Sequence, residues 1–151
     1  MRFAHTNIVS RDWKQLADFY VAVFDCRVKP PKRQQSGDWL ARGTGVSNAA
    51  LEGVHLLLPG YGDDGPTLEI YTYAGIVEQD PGPANRQGFC HVAFEVDDVH
   101  AVALRVREHG GTLAGEITER LIEGVGVITF VYARDPEGNL IELQSWRKED
   151  A

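Results

Sequence analysis

Apolar and polar residues alternate loosely from Arg2 to Val9, and then the period changes. From Trp13 onward the apolar positions Trp13, Leu16, Ala17, Tyr20 and Phe24 recur at the spacing of one helical face, while Arg11, Lys14, Asp18 and Asp25 fall mostly elsewhere. Asp12 stands where an N-cap belongs, with Gln15 three positions later. The pattern therefore predicts a strand followed by a helix that ends near Asp25. Cys26 to Gly45 carries Pro30, Pro31, Gly37, Gly43 and Gly45 and is expected as an irregular strand and loop. Val54 to Leu58 and Thr67 to Tyr73 read as strands. The turn-rich Pro59-Gly60 and Gly62-Asp63-Asp64-Gly65-Pro66 lie between them, which predicts a hairpin.

Ile76 to Gln87, with Pro81, Gly82, Pro83 and Asn85, reads as a linker, and beyond it the pattern restarts. Gly88 to Val96 is expected as a strand. Asp97-Asp98 caps a helix with the apolar face Val99, Val102, Ala103 and Val106, and His109-Gly110-Gly111 stops it. A short strand is expected around Thr112 to Ile117, then strands over Val125 to Tyr132 and Leu140 to Trp146 across the turn Arg134-Asp135-Pro136-Glu137-Gly138-Asn139. The order is βαβββ, linker, βαβββ: one α+β domain over residues 1–151, with module one about 1–75, linker 76–87 and module two about 88–147. His5 opens the first half as His91 opens the second, and Glu69 lies in the closing strand of the first as Glu142 does in the second. The first half is longer by about 13 positions between these markers, most simply in its loops, where insertions are cheap.

Composition narrows the partners. The 151 residues include 15 Lys+Arg against 22 Asp+Glu, a formal net charge of −7, with no basic run. Such a chain lacks the electrostatic footprint of nucleic-acid binding and would be repelled by anionic lipid, so neither nucleic acid nor membrane is expected as a partner. Charged residues precede any apolar stretch long enough for a signal segment, and Cys26 and Cys90 show no paired spacing. A cytoplasmic protein without disulfides is the expectation.

Strand parity places His5 with Phe3 and Asn7, Glu69 with Thr67 and Tyr71, and Glu142 with Leu140 and Gln144. A carboxylate in mid-strand between large apolar neighbours is costly to bury without a partner. Two such carboxylates and two histidines at equivalent places in two repeats can pair through a shared cation. If the halves pack about a pseudo-twofold axis, His5, Glu69, His91 and Glu142 converge on one divalent metal ion, with Zn, Ni, Co, Mn and Fe(II) all suited to the donor set. Open positions on such an ion would chelate a small oxygenated substrate through vicinal oxygens. The ion would stabilise an enediolate or enolate, and a carboxylate swinging off it, Glu69 or Glu142, would move the proton.

At these residues the chain resembles the vicinal oxygen chelate superfamily, which includes glyoxalase I, methylmalonyl-CoA epimerase, bleomycin- and fosfomycin-resistance proteins and extradiol dioxygenases. The resemblance rests on Met1-Arg2-Phe3-Ala4-His5-Thr6, Asp18-Phe19-Tyr20, Gly88 to Asp98 and Asp135 to Leu143, in register over nearly the whole chain. It implies two βαβββ modules forming a curved, open eight-stranded barrel around the metal, commonly in a homodimer. Glutamate at the position of Glu69 resembles glyoxalase I and the epimerases. It implies a metal-dependent lyase or isomerase that shuttles a proton next to a carbonyl. The epimerase resemblance also implies a base ahead of the third strand, where Glu52 stands. The alternatives are an Fe(II) or Mn(II) extradiol-type dioxygenase and a non-catalytic drug-binding resistance protein.

Other chemistry-bearing residues have plainer readings. His55 receives no role, His100 and His109 are expected at the surface, and Cys90 is expected to point away from His91 as a packing residue. Arg86 and Arg134 could meet an anionic substrate or simply be solvated. Trp39, Tyr71 and Trp146 could reach the cavity.

Overall fold

The computed structural model describes residues 1–148. It forms two compact units, Met1–Gln79 and a second from Asp80 onward, each with its own mixed sheet. The first unit runs β1 (His5–Val9), α1 (Trp13–Phe24), β2 (Arg27–Ser36), α2 (Asp38–Thr44), β3 (Ala50–Leu57) and β4 (Thr67–Tyr73), in sheet order β1-β4-β3-β2. The second runs β5 (His91–Glu95), α3 (Val99–Glu108), β6 (Thr112–Leu113), β7 (Thr118–Ile122), β8 (Gly126–Arg134) and β9 (Leu140–Arg147). Its sheet order is β5-β9-β8-β6, with β7 also paired to β8.

The capping signals act as expected. The Asp12 carboxylate accepts from the Lys14 and Gln15 amides at 3.0 and 3.2 Å. Asp98 accepts from the Ala101 amide at 3.0 Å and starts α3. Each cap satisfies backbone donors that the first helical turn leaves without intrahelical partners. α1 lies on β3 and β4, burying Leu16, Tyr20 and Val23 with Val54, Leu56, Leu68 and Ile70. α3 lies on β8 and β9 and buries Val99, Ala103 and Val106 with Val131, Ala133, Ile141 and Leu143.

Three features differ from expectation. Among the described residues the strands number nine, in two open sheets of four and five, one more than the eight expected. Asp38–Thr44 is a helix where a loop was expected. With seven residues and Leu40 its one buried position, it is too short for a 3.6-residue period to show in sequence. Of the strand expected around Thr112 to Ile117 only β6 forms, and a further strand, β7, follows it over Thr118–Ile122; β7 is exposed at all five positions, so no alternation marked it.

In both units the first strand pairs in parallel with the last, with Asn7 opposite Glu69 and Ala93 opposite Glu142. β9 is entered through a turn held by Asp135, which is 3% exposed. Its carboxylate accepts from the Glu137 and Asn139 amides at 2.9 and 3.0 Å and from Asn139 Nδ2 at 2.8 Å. Gly138 has φ +90° and lies so close to Pro81 that a Cβ there would come within 2.5 Å of the ring, so only glycine fits. Asp135→Ala orphans two backbone donors and is expected to lower stability by about 1–3 kcal/mol in urea unfolding, with Asp135→Asn losing less.

Candidate functional site

Each sheet has one face under its long helix and a second face that carries the polar residues. In the first unit, β1 turns His5 and Asn7 to that second face, and β4 turns Thr67, Glu69 and Tyr71 to it. β3 adds His55, directly opposite Glu69 in the antiparallel ladder, and Gly53, opposite Tyr71. Glu69 is buried, at 8% exposure, and two imidazoles meet the same carboxylate oxygen: His5 Nδ1 at 3.3 Å and His55 Nε2 at 3.2 Å from Oε1. His55 Nε2 also lies 2.6 Å from the Tyr71 hydroxyl. Burial holds the His55 imidazole below its ordinary value against the pull of the Glu69 carboxylate. Burial, reinforced by the Glu69 charge, pushes the Tyr71 phenol up to about 12, so it remains a hydrogen-bond donor at neutral pH.

Tyr71 is placed by two things that are not acids or bases. Its ring passes over Gly53, where an added Cβ would sit 2.6 Å from Cδ1 and 2.0 Å from the Ile70 carbonyl oxygen. It also packs, with Tyr73, on the buried cluster of Leu40, Ala49 and Leu51. The unexpected helix α2 thus supports the site through Leu40.

The second unit repeats the pair with a different surround. His91 Nε2 lies 2.9 Å from Glu142 Oε2, and the glutamate is partly buried. The position opposite the glutamate is here Tyr132 rather than histidine, its ring centroid 4.8 Å from that of His91. Burial and then the Glu142 charge raise the Tyr132 phenol. His91 Nδ1 lies 3.3 Å from Cys90 Sγ, and this thiol also donates to the Ala84 carbonyl at 3.1 Å. Cys90 immediately precedes β5, so strand parity does not govern it, and it sits beside His91 rather than packing on the opposite face.

The structure thus brings together His5 with Glu69 and His91 with Glu142, each pair within its own sheet. It does not bring Glu52 to Glu69. β3 begins at Ala50, ahead of the expected start, so Glu52 is an in-strand residue whose partner Thr72 has the opposite parity to Glu69 and Tyr71. There Glu52 pairs with Lys32 Nζ at 2.8 Å, and this cation holds its carboxyl below the usual range. His55 is the residue that sequence reasoning missed. Its signal was parity with Gly53 across from Glu69 and Tyr71, which becomes visible once the hairpin register is known.

Arg134 is structural, donating to the Gly138 and Gly82 carbonyls at 2.7 and 2.9 Å. Arg86 reaches the Asp80 carbonyl at 3.5 Å. Trp39 is exposed beside the first unit's sheet, while Trp146 Nε1 donates to Gln144 Oε1 at 3.2 Å.

The donor atoms of the first unit are aimed at one another, and no three His, Cys, Asp or Glu side chains among the described residues form a ready metal cage. The chemistry of each pair nevertheless suits a divalent ion. An imidazole nitrogen and a carboxylate oxygen that now face each other across a hydrogen-bond distance are the two donor types such an ion takes.

A sequence model described as Glyoxalase/Bleomycin resistance protein/Dioxygenase superfamily matches residues 2–143. A protein named probable lactoylglutathione lyase from Vibrio parahaemolyticus is 33% identical over 90 residues, 58% of this chain and 60% of that protein's length. A lactoylglutathione lyase from Neisseria meningitidis is 29% identical over 145 residues, covering 95% of this chain and 89% of that one. In fold, the crystal structure of a glyoxalase family protein from Bacillus cereus superposes with a TM-score of 0.76 at 23% identity, over 97% of this chain and 93% of that one.

Two outcomes follow from the Tyr71 surround. Glu69→Gln removes a negative charge that opposes tyrosinate formation, so Tyr71 should ionise at lower pH than in the wild type, read as absorbance near 295 nm and assigned by its loss in Tyr71→Phe. Gly53→Ala forces the ring off the sheet and should cost about 1–3 kcal/mol in denaturant unfolding, as overpacking does.

Proposed function

Because the chain belongs to the glyoxalase/bleomycin resistance protein/dioxygenase superfamily, we propose that it is a metal-dependent lyase or isomerase that moves a proton next to the carbonyl of a small oxygenated substrate. The observation that carries this reading is the duplicated His–Glu pair, set in both sheets at the same two-residue diagonal of a parallel ladder. The names of the relatives support the glyoxalase type of reaction. His5, Glu69, His91 and Glu142 would hold one divalent ion, Ni, Co, Zn, Mn or Fe(II). The ion would supply Lewis-acid polarisation of the substrate's vicinal oxygens.

The two glutamates are not equivalent. Glu69 is buried and held through one oxygen by two imidazoles, one of them fixed by Tyr71. Glu142 has a single imidazole partner and a more open side chain. Glu69 is therefore the fixed ligand, and Glu142 is the carboxylate free to leave its partner and carry the proton. Glu52, ion-paired on the helix-covered side, takes no part in this transfer.

Protein purified without chelator should carry a divalent ion by elemental analysis, and His91→Ala and Glu69→Ala should lose it. Failure of the wild type to bind any divalent ion after reconstitution overturns the reading. Turnover is to be sought with 2-oxoaldehyde thiol adducts and with 2-methyl-branched acyl-CoA esters. On the active substrate, Glu142→Gln should retain metal and lose about 10²–10⁴-fold in kcat, the usual worth of a general base. Glu52→Gln should stay within about twofold of wild type, since no proton transfer of that worth depends on it.

A further inference from the structure

β2 does something beyond closing the first sheet. It pairs with β3 at Lys29 opposite His55, loses register, and resumes at Arg33 opposite Gly53, so that the intervening Pro30, Pro31 and Lys32 bow out as a bulge. Directly opposed residues of a ladder share a face. Lys29 and Arg33 therefore both lie on the face of His55, Glu69 and Tyr71, while Lys32 joins Glu52 on the other. Both cations are half-buried.

Neither has a carboxylate partner among the described residues. Lys29 Nζ donates to the Asp63 carbonyl at 3.1 Å and Arg33 Nη1 to the Pro31 carbonyl at 2.5 Å. The Asp63 carboxylate is taken by Arg27 at 2.8 Å, and the carboxylate on their own face, Glu69, is held by His5 and His55. Two partly desolvated cations facing only neutral acceptors are an unfavourable arrangement in a chain of net charge −7, unless an anion arrives from outside. A guanidinium fork beside a lysine suits the planar or tetrahedral oxygens of a carboxylate or phosphate.

We propose that Lys29 and Arg33 form an oxyanion subsite that takes a carboxylate or phosphate group of the substrate while its reacting end lies at Glu69. Only the last clause rests on the function proposed above. The subsite itself lies wholly within the first unit.

The test uses isotope-labelled full-length protein treated with chelator, titrated in separate arms with inorganic phosphate, succinate and neutral acetamide, and read by amide resonances of Gly53, His55 and Tyr71. Saturable shifts with an anion and none with acetamide are expected, the stronger anion arm identifying phosphate or carboxylate as the preferred group. Arg33→Gln and Lys29→Gln should each weaken binding about tenfold, as loss of a charged hydrogen bond does. Arg27→Gln, whose side chain is exposed and paired, should leave it unchanged. Affinity equal to wild type in both Arg33→Gln and Lys29→Gln, or no shift with either anion, overturns the subsite. Metal content measured on the same variants after reconstitution keeps the two readings apart. Ion binding without anion binding sinks the subsite alone, and anion binding without ion binding sinks the metal-dependent function alone.

Discussion

A carboxylate in the middle of a buried strand must be met by something, and much of the first unit can be understood as the meeting of Glu69. Its neighbours Leu68 and Ile70 are buried under α1, which fixes β4 so that the carboxylate faces the other way. There the carboxylate is itself buried, at 8% exposure, and hydrogen bonds from neutral or cationic groups are the available compensation. β1 supplies one imidazole and β3 another, and the second is oriented by a tyrosine that leans on α2. Among the described residues no buried side-chain nitrogen or oxygen is left without a partner. The polar network is thus complete, the condition under which a buried one rigidifies a fold rather than weakening it.

The repeat was legible because its markers obey local rules: capped helices, strands ending in Gly- and Pro-rich turns, and a His and a Glu at matching places. The His–Glu pairing was legible for the same reason, since parity within each strand depends on nothing distant. What escaped depends on register between strands. His55 stands in a strand whose composition says nothing of its role, and only its alignment with Glu69 across the hairpin gives it one. Glu52 was assigned to a strand entrance, yet the strand begins two residues earlier, and one step of parity separates the two faces of a sheet. α2 and β7 escaped for want of a period: one has a single buried residue and the other none.

The two units share a plan and diverge in its execution. The position opposite the glutamate is His55 in one and Tyr132 in the other. The residue two beyond the glutamate is Tyr71 in one and Gln144 in the other. One unit therefore grips its carboxylate from two directions and the other from one. An internal duplication need not yield two equal halves: a rigid and a yielding version of the same pair can come from changing a few side chains on an unchanged ladder.

The parallel pairing of first strand with last has a consequence for the order of events during synthesis. His5 emerges early from the ribosome but cannot find its strand partner until β4, more than sixty residues later, has followed. A shorter delay, about fifty residues, recurs from His91 to Glu142. Long-range closure of this kind is entropically costly and comes late. A nascent or truncated chain that stops short of either glutamate carries a lone histidine on an unpaired strand, so the polar pairs arise together with the completed sheets.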